Sequence, residues 1–319
     1  MVLLLTEAEV EATLDVGSLV DVVDDALVKQ EHGGVERPER PHFEVGAGLD
    51  SEPGTGIAMP AYIHGDEQYA TKLVGVHEAN ADRGMPTIHA QIVLTSARTG
   101  VPVAFMGGTT ITNARTGCIG ALSVRELAPE TATLGVIGAG AQARWQSRAI
   151  ATVAPLGSVR IYSPSDSRKA CAADLREEGL PAEAVDTPAA AVEGADTVVT
   201  ATTATEPVFP ASSLGQDALV VAVGAFTPEM QELDPAVLDR ATEIAADVPE
   251  EVAETGDMLA AGVTASELVP LGELVAEGRE DHSGVTVVAS VGSATLDAAA
   301  STTVYEDARD AGRGTELSL

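Results

Sequence analysis

A lysine stands in the middle of the strand-like run "QYATKLVGV", residues 68–76, in a chain of 319 residues whose only lysines are Lys29, Lys72 and Lys169. An ammonium held in an apolar run has a movable pKa and can give a proton to a reacting group. The alternative is an edge-strand lysine that guards against aggregation. The second stretch with chemical content is "TLGVIGAGAQARWQ" at 133–146, where Gly138, Gly140 and Ala143 form G-x-G-x-x-A. The first glycine allows a tight turn, the second lets backbone approach a pyrophosphate, and the small third residue lets a helix pack on the sheet. The N–H groups at the start of that helix then face the phosphates. The motif alone is weak. Here it follows a buried strand-like run, opens a helix and begins an alternating series, which is the context a dinucleotide site requires.

The run after the second strand of that series reads "VRIYSPSDSRK", 159–169. An NAD site places Asp or Glu there for the ribose 2′-hydroxyl. This chain offers Ser163, followed by Ser165, Arg168 and Lys169. A hydroxyl with nearby cations suits a 2′-phosphate, which favours NADP(H). NAD(H) stays open, with Asp166 serving the hydroxyl and Arg168 and Lys169 exposed on the next helix.

These residues need elements to position them. Thr6 with Glu9 gives a helix-capping pattern, and Leu19, Val22, Val23, Ala26 and Leu27 recur at helical spacing before the Gly33–Gly34 stop. From about 40 to 106, runs such as "HFEV", "GIAMPAYI", "HAQIVLTS" and "VPVAFM" between Gly, Pro and Asp predict a meandering sheet. A long helix is predicted over 109–128. Then "SVRIYSP", "ADTVVTATT", "DALVVAVGA", "ATEIAAD" and "GVTVVASVG" alternate with helical segments, the mark of βαβ units and a parallel sheet. A last helix is predicted over about 293–313. "DVPEEVAETGDM" reads as a solvated acidic loop and helix start, Cys118 as a packed core thiol, and Trp145 as packing on protein or shielding the edge of the site.

Composition narrows the function classes. Asp and Glu number 49 against 18 Lys and Arg, a net charge of −31, and the acids are scattered along the chain. That pattern fits a surface adapted to high salt. It offers no basic stripe for a nucleic-acid partner. Apolar residues make up 45%, too many for a disordered acidic polymer. The two cysteines define neither a zinc site nor a disulfide framework, and the six histidines form no close pair, so no metal site is expected. With no apolar span and no basic region before the N-terminal apolar run, a cytoplasmic protein with no membrane partner is expected.

Taken together, "RPER" at 37–40, "MPAY" at 59–62, Lys72, "GMPT" at 84–87, "TNARTG" at 112–117, "GAGAQAR" at 138–144, "VGAFTPEMQEL" at 223–233 and "SVGSATLD" at 290–297 resemble the ornithine cyclodeaminase/mu-crystallin family over nearly the whole chain. The resemblance implies an α/β fold: a Rossmann NAD(P)-binding domain over 119–293, plus an α+β dimerisation and substrate domain from 1–118 and 294–319. It implies a homodimer. It places Lys72 and Arg40 at the substrate carboxylate, where a planar guanidinium suits two parallel bonds. The bland alternative for Arg40 is a surface arginine before Pro41. Arg115 would face both cofactor and substrate, with Met59 and Phe226 as the apolar wall. Thr87, Ala141, Gln142 and Ser163 match cofactor-contacting positions, and Thr202, Val223 and Ser290 are assigned to the cofactor as well.

One departure steers the function. Cyclodeaminases carry an aspartate as proton donor where this chain has Phe226, and a lysine where it has Met230. Phenylalanine transfers no proton, and cyclising deamination needs several proton transfers. The family's alanine dehydrogenases also use that aspartate. The expected activity is therefore an NAD(P)H-dependent reductase of an α-imino acid, such as 1-pyrroline- or 1-piperideine-2-carboxylate, with Lys72, or a water it orients, as the proton donor. A deaminating cyclodeaminase or alanine dehydrogenase, and a non-catalytic NADPH-binding protein, are the alternatives.

Overall fold

The structure, a computed structural model, describes residues 1–50, 52–128, 130–278 and 283–318. The chain forms two compact units: Met1–Asp15, His32–Arg115 and Ala294–Leu319 in the first, Val16–Glu31 and Thr116–Ser293 in the second. The sequence-based boundaries fell after 118 and before 294. The helix Val16–Glu31 differs from that reading, for it packs inside the second unit. Its Leu19, Val20, Val23, Ala26 and Leu27 are buried, and Gly272 sits so close that a Cβ there would lie 2.4 Å from the Leu27 carbonyl oxygen. An apolar face at helical spacing shows that a helix packs, not which sheet it packs on.

The first unit is built on an eight-stranded sheet. Its order runs Thr315–Leu317, Val2–Leu5, Pro102–Gly107, Ile88–Ser96, Gln68–Val76, Gly54–Ile63, Val35–Glu36, with His42–Val45 also on Gly54–Ile63. Only the pair Val2–Leu5 with Pro102–Gly107 is parallel. The meander between 42 and 107 lies where the apolar alternation predicts it. Neither terminal strand was predicted: each pairs with chain distant in sequence, so no local pattern marks it. Side chains alternate between the two faces. One face is buried and carries Met59, Lys72, Ile92 and Met106 in a single cross-strand row. The helix Ala294–Asp310 packs on the strands Gly54–Ile63 and Gln68–Val76. The opposite face leaves Leu4, Phe43, Leu73 and Phe105 exposed.

The second unit carries eight strands, all parallel, in the order Ala182–Ala184, Ser158–Tyr162, Thr133–Ile137, Thr197–Thr200, Leu219–Ala222, Val285–Ala289, Ala241–Ala246, Val269–Pro270. The chain steps outward from Thr133–Ile137 in one direction and then in the other, and its last strand, Val285–Ala289, returns between Leu219–Ala222 and Ala241–Ala246. The topological switch point therefore lies between Thr133–Ile137 and Thr197–Thr200, where open α/β sheets bind ligands. The central strands Thr133–Ile137, Thr197–Thr200, Leu219–Ala222 and Val285–Ala289 are Val-rich and buried almost throughout, as parallel strands covered on both faces must be.

The segment "DVPEEVAETGDM" corrects the sequence reading. Asp247, Val248, Val252, Asp257 and Met258 are buried. The two aspartates take backbone N–H donors, which local sequence does not reveal. Asp257 accepts from the N–H groups of Glu232 and Leu233, each at 2.7 Å. Cys118 is fully buried. Trp145 carries the Arg148 guanidinium 5.2 Å above its ring. Among the described residues, no helix is long and apolar enough to cross a membrane.

Candidate active site

Lys72 sits in an interior strand, between Gly54–Ile63 and Ile88–Ser96, which removes the edge-strand alternative. It is 2% exposed. Its register neighbours Met59 and Ile92 are apolar, so the ammonium loses its water. A buried charge persists only when paired, and the partner is Asp297. Lys72 Nζ lies 2.5 Å from Asp297 Oδ2 and donates to Thr112 Oγ1 at 3.4 Å. The other carboxylate oxygen, Oδ1, accepts from Arg115 Nε at 3.0 Å. Asp297 is 1% exposed and Arg115 is 4% exposed.

Local sequence explains the convergence. Thr112 and Arg115 are three apart on the helix Thr109–Leu127, so they share one face. Asp297 is in the first turn of Ala294–Asp310, among Ala294, Thr295, Ala298 and Ser301, all buried. Such small side chains let the helix approach the sheet until a short carboxylate reaches the strand. Burial lowers the Lys72 pKa to about 8; Asp297 pushes it back up, while Arg115 and Arg40 push it down. Burial raises the Asp297 carboxyl, but Arg115 and Lys72 outweigh it and hold the group below its ordinary value.

The other residues assigned to this unit are placed as follows. Met59 is buried directly beside Lys72. Arg40 is half-buried, just before the strand His42–Val45, and its charge reaches Lys72. Thr87 is half-buried and accepts from the His77 N–H through its carbonyl at 2.8 Å. Sequence reasoning missed Asp297, although "SVGSATLD" contains it. The available signal was a lone acid in the first turn of an otherwise small-residue, apolar helix.

In the second unit, five assigned positions gather at the carboxyl edge of the parallel sheet. Gly138, Ser163, Thr202, Val223 and Ser290 each follow the end of a strand by one or two residues. Gly138 has φ +113°, and a Cβ there would lie 2.4 Å from the Ala201 carbonyl oxygen, so only glycine makes this turn. Gly140 opens the helix Ala141–Val153 without a side-chain cap. A Cβ on Gly140 would meet nothing within 4 Å, which leaves its backbone open to a bulky anion. Ala143 is fully buried at the helix–sheet contact. Ala141 is exposed and Gln142 half-buried. Arg144 holds the turn in shape by donating to the carbonyls of Ala139, at 2.9 Å, and Gly140, at 3.1 Å. These features fit a dinucleotide: a tight turn, an uncapped helix start and open space above it.

At the second strand's end, the Ser163 and Ser167 hydroxyls are 2.9 Å apart and those of Ser165 and Ser167 are 2.7 Å apart. Arg168 Nη1 donates to the carbonyls of Ser163 and Ser165, and Nη2 to Asp186 Oδ1. Arg168 therefore shapes this loop. Lys169 pairs with Asp166 at 2.8 Å. The Ser290 hydroxyl donates to buried Asp247 at 2.7 Å. Phe226 is 42% exposed on the loop after Leu219–Ala222.

That loop has a clasp that sequence reasoning missed. Glu232 is fully buried. It accepts from the Thr202 N–H at 2.6 Å, the Gly224 N–H at 2.9 Å and the Thr200 hydroxyl at 2.9 Å. One carboxylate thus ties together the ends of two adjacent strands. Burial raises its pKa to about 7 against those hydrogen bonds.

A parallel sheet with a glycine turn at its switch point, joined in one chain to a mixed sheet with a buried lysine, defines a two-unit dinucleotide-dependent class. The chain belongs to the ornithine cyclodeaminase/mu-crystallin family, whose sequence model matches residues 1–312. It is 32% identical to alanine dehydrogenase of Archaeoglobus fulgidus over 326 residues, covering 99% of this chain and 98% of that one. It is 32% identical to Delta(1)-pyrroline-2-carboxylate reductase of Bacillus cereus over 279 residues, 84% of this chain and 86% of the relative. Among solved structures, Thermococcus litoralis Delta(1)-pyrroline-2-carboxylate reductase in complex with NADH and L-proline superimposes with a TM-score of 0.92 at 29% identity, covering 99% of this chain and 100% of that one.

Proposed function

We propose that this protein is a nicotinamide-dependent reductase of cyclic α-imino acids, with 1-pyrroline-2-carboxylate or 1-piperideine-2-carboxylate as substrate and proline or pipecolate as product. The observation that carries the reading is the buried cluster of Lys72, Arg115 and Asp297, with Arg40 beside it. Lys72 and Arg115 share the Asp297 carboxylate and the Arg40 charge also reaches Lys72, a cationic setting that suits an anionic substrate. Arg40 grips the substrate carboxylate through its planar fork. Lys72 carries a proton on Nζ at neutral pH and delivers it to the imine nitrogen. Met59, the buried cross-strand partner of Lys72, supplies an apolar wall beside the ring. The dinucleotide, when bound, supplies the hydride that reduces the C=N bond. Position 226 offers no acid, and imine reduction needs one proton donor, whereas cyclising deamination needs several. The likeness to two pyrroline-2-carboxylate reductases supports this reading.

Gly138, Gly140, Ala141 and Gln142 would hold the pyrophosphate, and Thr202, Val223 and Ser290, at the same strand-end edge, the nicotinamide half. For the other ribose, the serine hydroxyls at 163, 165 and 167, with no carboxylate at 163, support NADP(H) over NAD(H). The Thermococcus relative binds NADH, so both cofactors belong in the assay. We also assign the exposed apolar face of Leu4, Phe43, Leu73 and Phe105 to contact with a second copy of the chain.

The test follows NADPH and NADH oxidation in molar salt with each cyclic imino acid and with pyruvate plus ammonia; ornithine and alanine are run in reverse. Turnover of a cyclic imino acid is expected. Turnover of pyruvate with ammonia alone would favour alanine dehydrogenase, the activity named for the Archaeoglobus relative.

A further inference from the structure

We propose that Asp297 is a positioning residue of this site: it shares its carboxylate between Lys72 and Arg115, fixes both cations against the sheet and keeps the lysine charged. The inference rests on the reading of Lys72 as the proton donor. Geometry carries it. Oδ2 lies 2.5 Å from Lys72 Nζ and Oδ1 accepts from Arg115 Nε at 3.0 Å, with all three side chains buried. The charged groups around Lys72 come from three elements. Asp297 projects from the helix Ala294–Asp310, Arg115 from Thr109–Leu127, and Arg40 from the segment before His42–Val45. The adjacent strands contribute Met59 and Ile92. Two of those three charges are guanidinium groups, which repel the ammonium; among the three, Asp297 attracts it. Without Asp297, burial and both arginines would drive Lys72 to its neutral form, and a neutral amine has no acidic proton to give at neutral pH.

Three lysines in the whole chain make the test direct. Protein labelled with ¹³Cε-lysine gives three resonances. Lys29→Arg and Lys169→Arg identify two of them and leave Lys72. In the native protein the Lys72 signal is expected to titrate near pH 8. In Asp297→Asn the midpoint is expected to fall by about one unit or more, since the loss of an opposite charge at this range moves a buried pKa by that order. A proton donor works in its charged form, so turnover falls as pH rises through the midpoint. The descending limb of the kcat profile should therefore move down by the same interval, with kcat changed more than the KM for the imino acid. Asp297→Glu, which restores the charge, should bring the midpoint back up while leaving kcat reduced, because the longer side chain displaces the ammonium. An unchanged Lys72 midpoint in Asp297→Asn overturns the proposal. So does a native midpoint below about 6, the range of buried lysines that lack a counter-ion; this result needs no folded variant. The titration reads no turnover, so a protein that reduces no imino acid would sink the functional reading and leave the Asp297 result standing.

Discussion

At the scale of single residues, the site holds an ammonium in a place that disfavours it. Lys72 is retained between two apolar cross-strand partners, with Asp297 as its counter-ion. Lys72→Met, which keeps the volume, should lower kcat by roughly 10²–10⁴-fold, the span of a lost general acid. Cofactor affinity, followed by reduced-nicotinamide fluorescence, should stay within about threefold, because Lys72 is assigned to the substrate and not to the cofactor. Loss of cofactor binding instead would make Lys72 a cofactor ligand. The folded pKa of about 8 lies below the ordinary 10.5. The unfolded chain therefore holds this proton to higher pH than the folded one. The unfavourable contribution is complete below pH 8 and is relieved as pH rises from 8 toward 10.5. Denaturant midpoints of the native protein and Lys72→Met should converge over that window.

At the scale of elements, strand ends and the turns beyond them set the cofactor edge. Gly138→Ala forces an L-residue to φ +113° and drives a Cβ onto the Ala201 carbonyl. A loss of about 1–3 kcal/mol is expected from the backbone alone, together with at least a tenfold loss of cofactor affinity, by thermal denaturation and fluorescence titration. Glu232→Gln puts an amide NH₂ among donors from Thr200, Thr202 and Gly224. This should destabilise the protein by about 1.5–3 kcal/mol, the worth of a buried charged hydrogen bond, and loosen the loop that carries Phe226. The folded pKa of Glu232 is raised from 4.5 to about 7. Its contribution is thus fully present below pH 4.5 and is lost as pH rises through 7. Native stability should drop between pH 5 and 8 by more than that of Glu232→Gln; equal drops would remove Glu232 as the cause.

At the scale of the whole molecule, charge and surface dominate. A net charge of −31 repels itself across the surface, and screening to about 3 Å at 1 M salt relieves it. The melting temperature should climb steadily from about 0.1 to 2 M KCl, and a flat profile would remove the high-salt reading. The exposed row of Leu4 and Phe105, continued by Leu73 and Phe43 on the same face, is the apolar surface assigned to a second copy. Phe105→Asp should convert a dimer to a monomer in sedimentation equilibrium. A native protein that is already monomeric would dismiss that assignment.

The sequence by itself determined the local and the periodic. The meander of 42–107, the parallel series from 133, the capped first helix, the glycine turn and the oddity of Lys72 were all legible, because turn chemistry and side-chain alternation act within a few residues. Only the tertiary structure decided what long-range packing brings together. The terminal strands, the placement of Val16–Glu31, the clasp of Glu232 over two strand ends and the burial of Asp257 all depend on partners far along the chain. Asp297 is the sharpest case. As a letter it is one of 49 acids, and its one local mark, a place in the first turn of a small-residue helix, names no partner. It acquires meaning only when a helix of small residues closes on the sheet and sets its carboxylate between a lysine and an arginine more than 180 positions earlier.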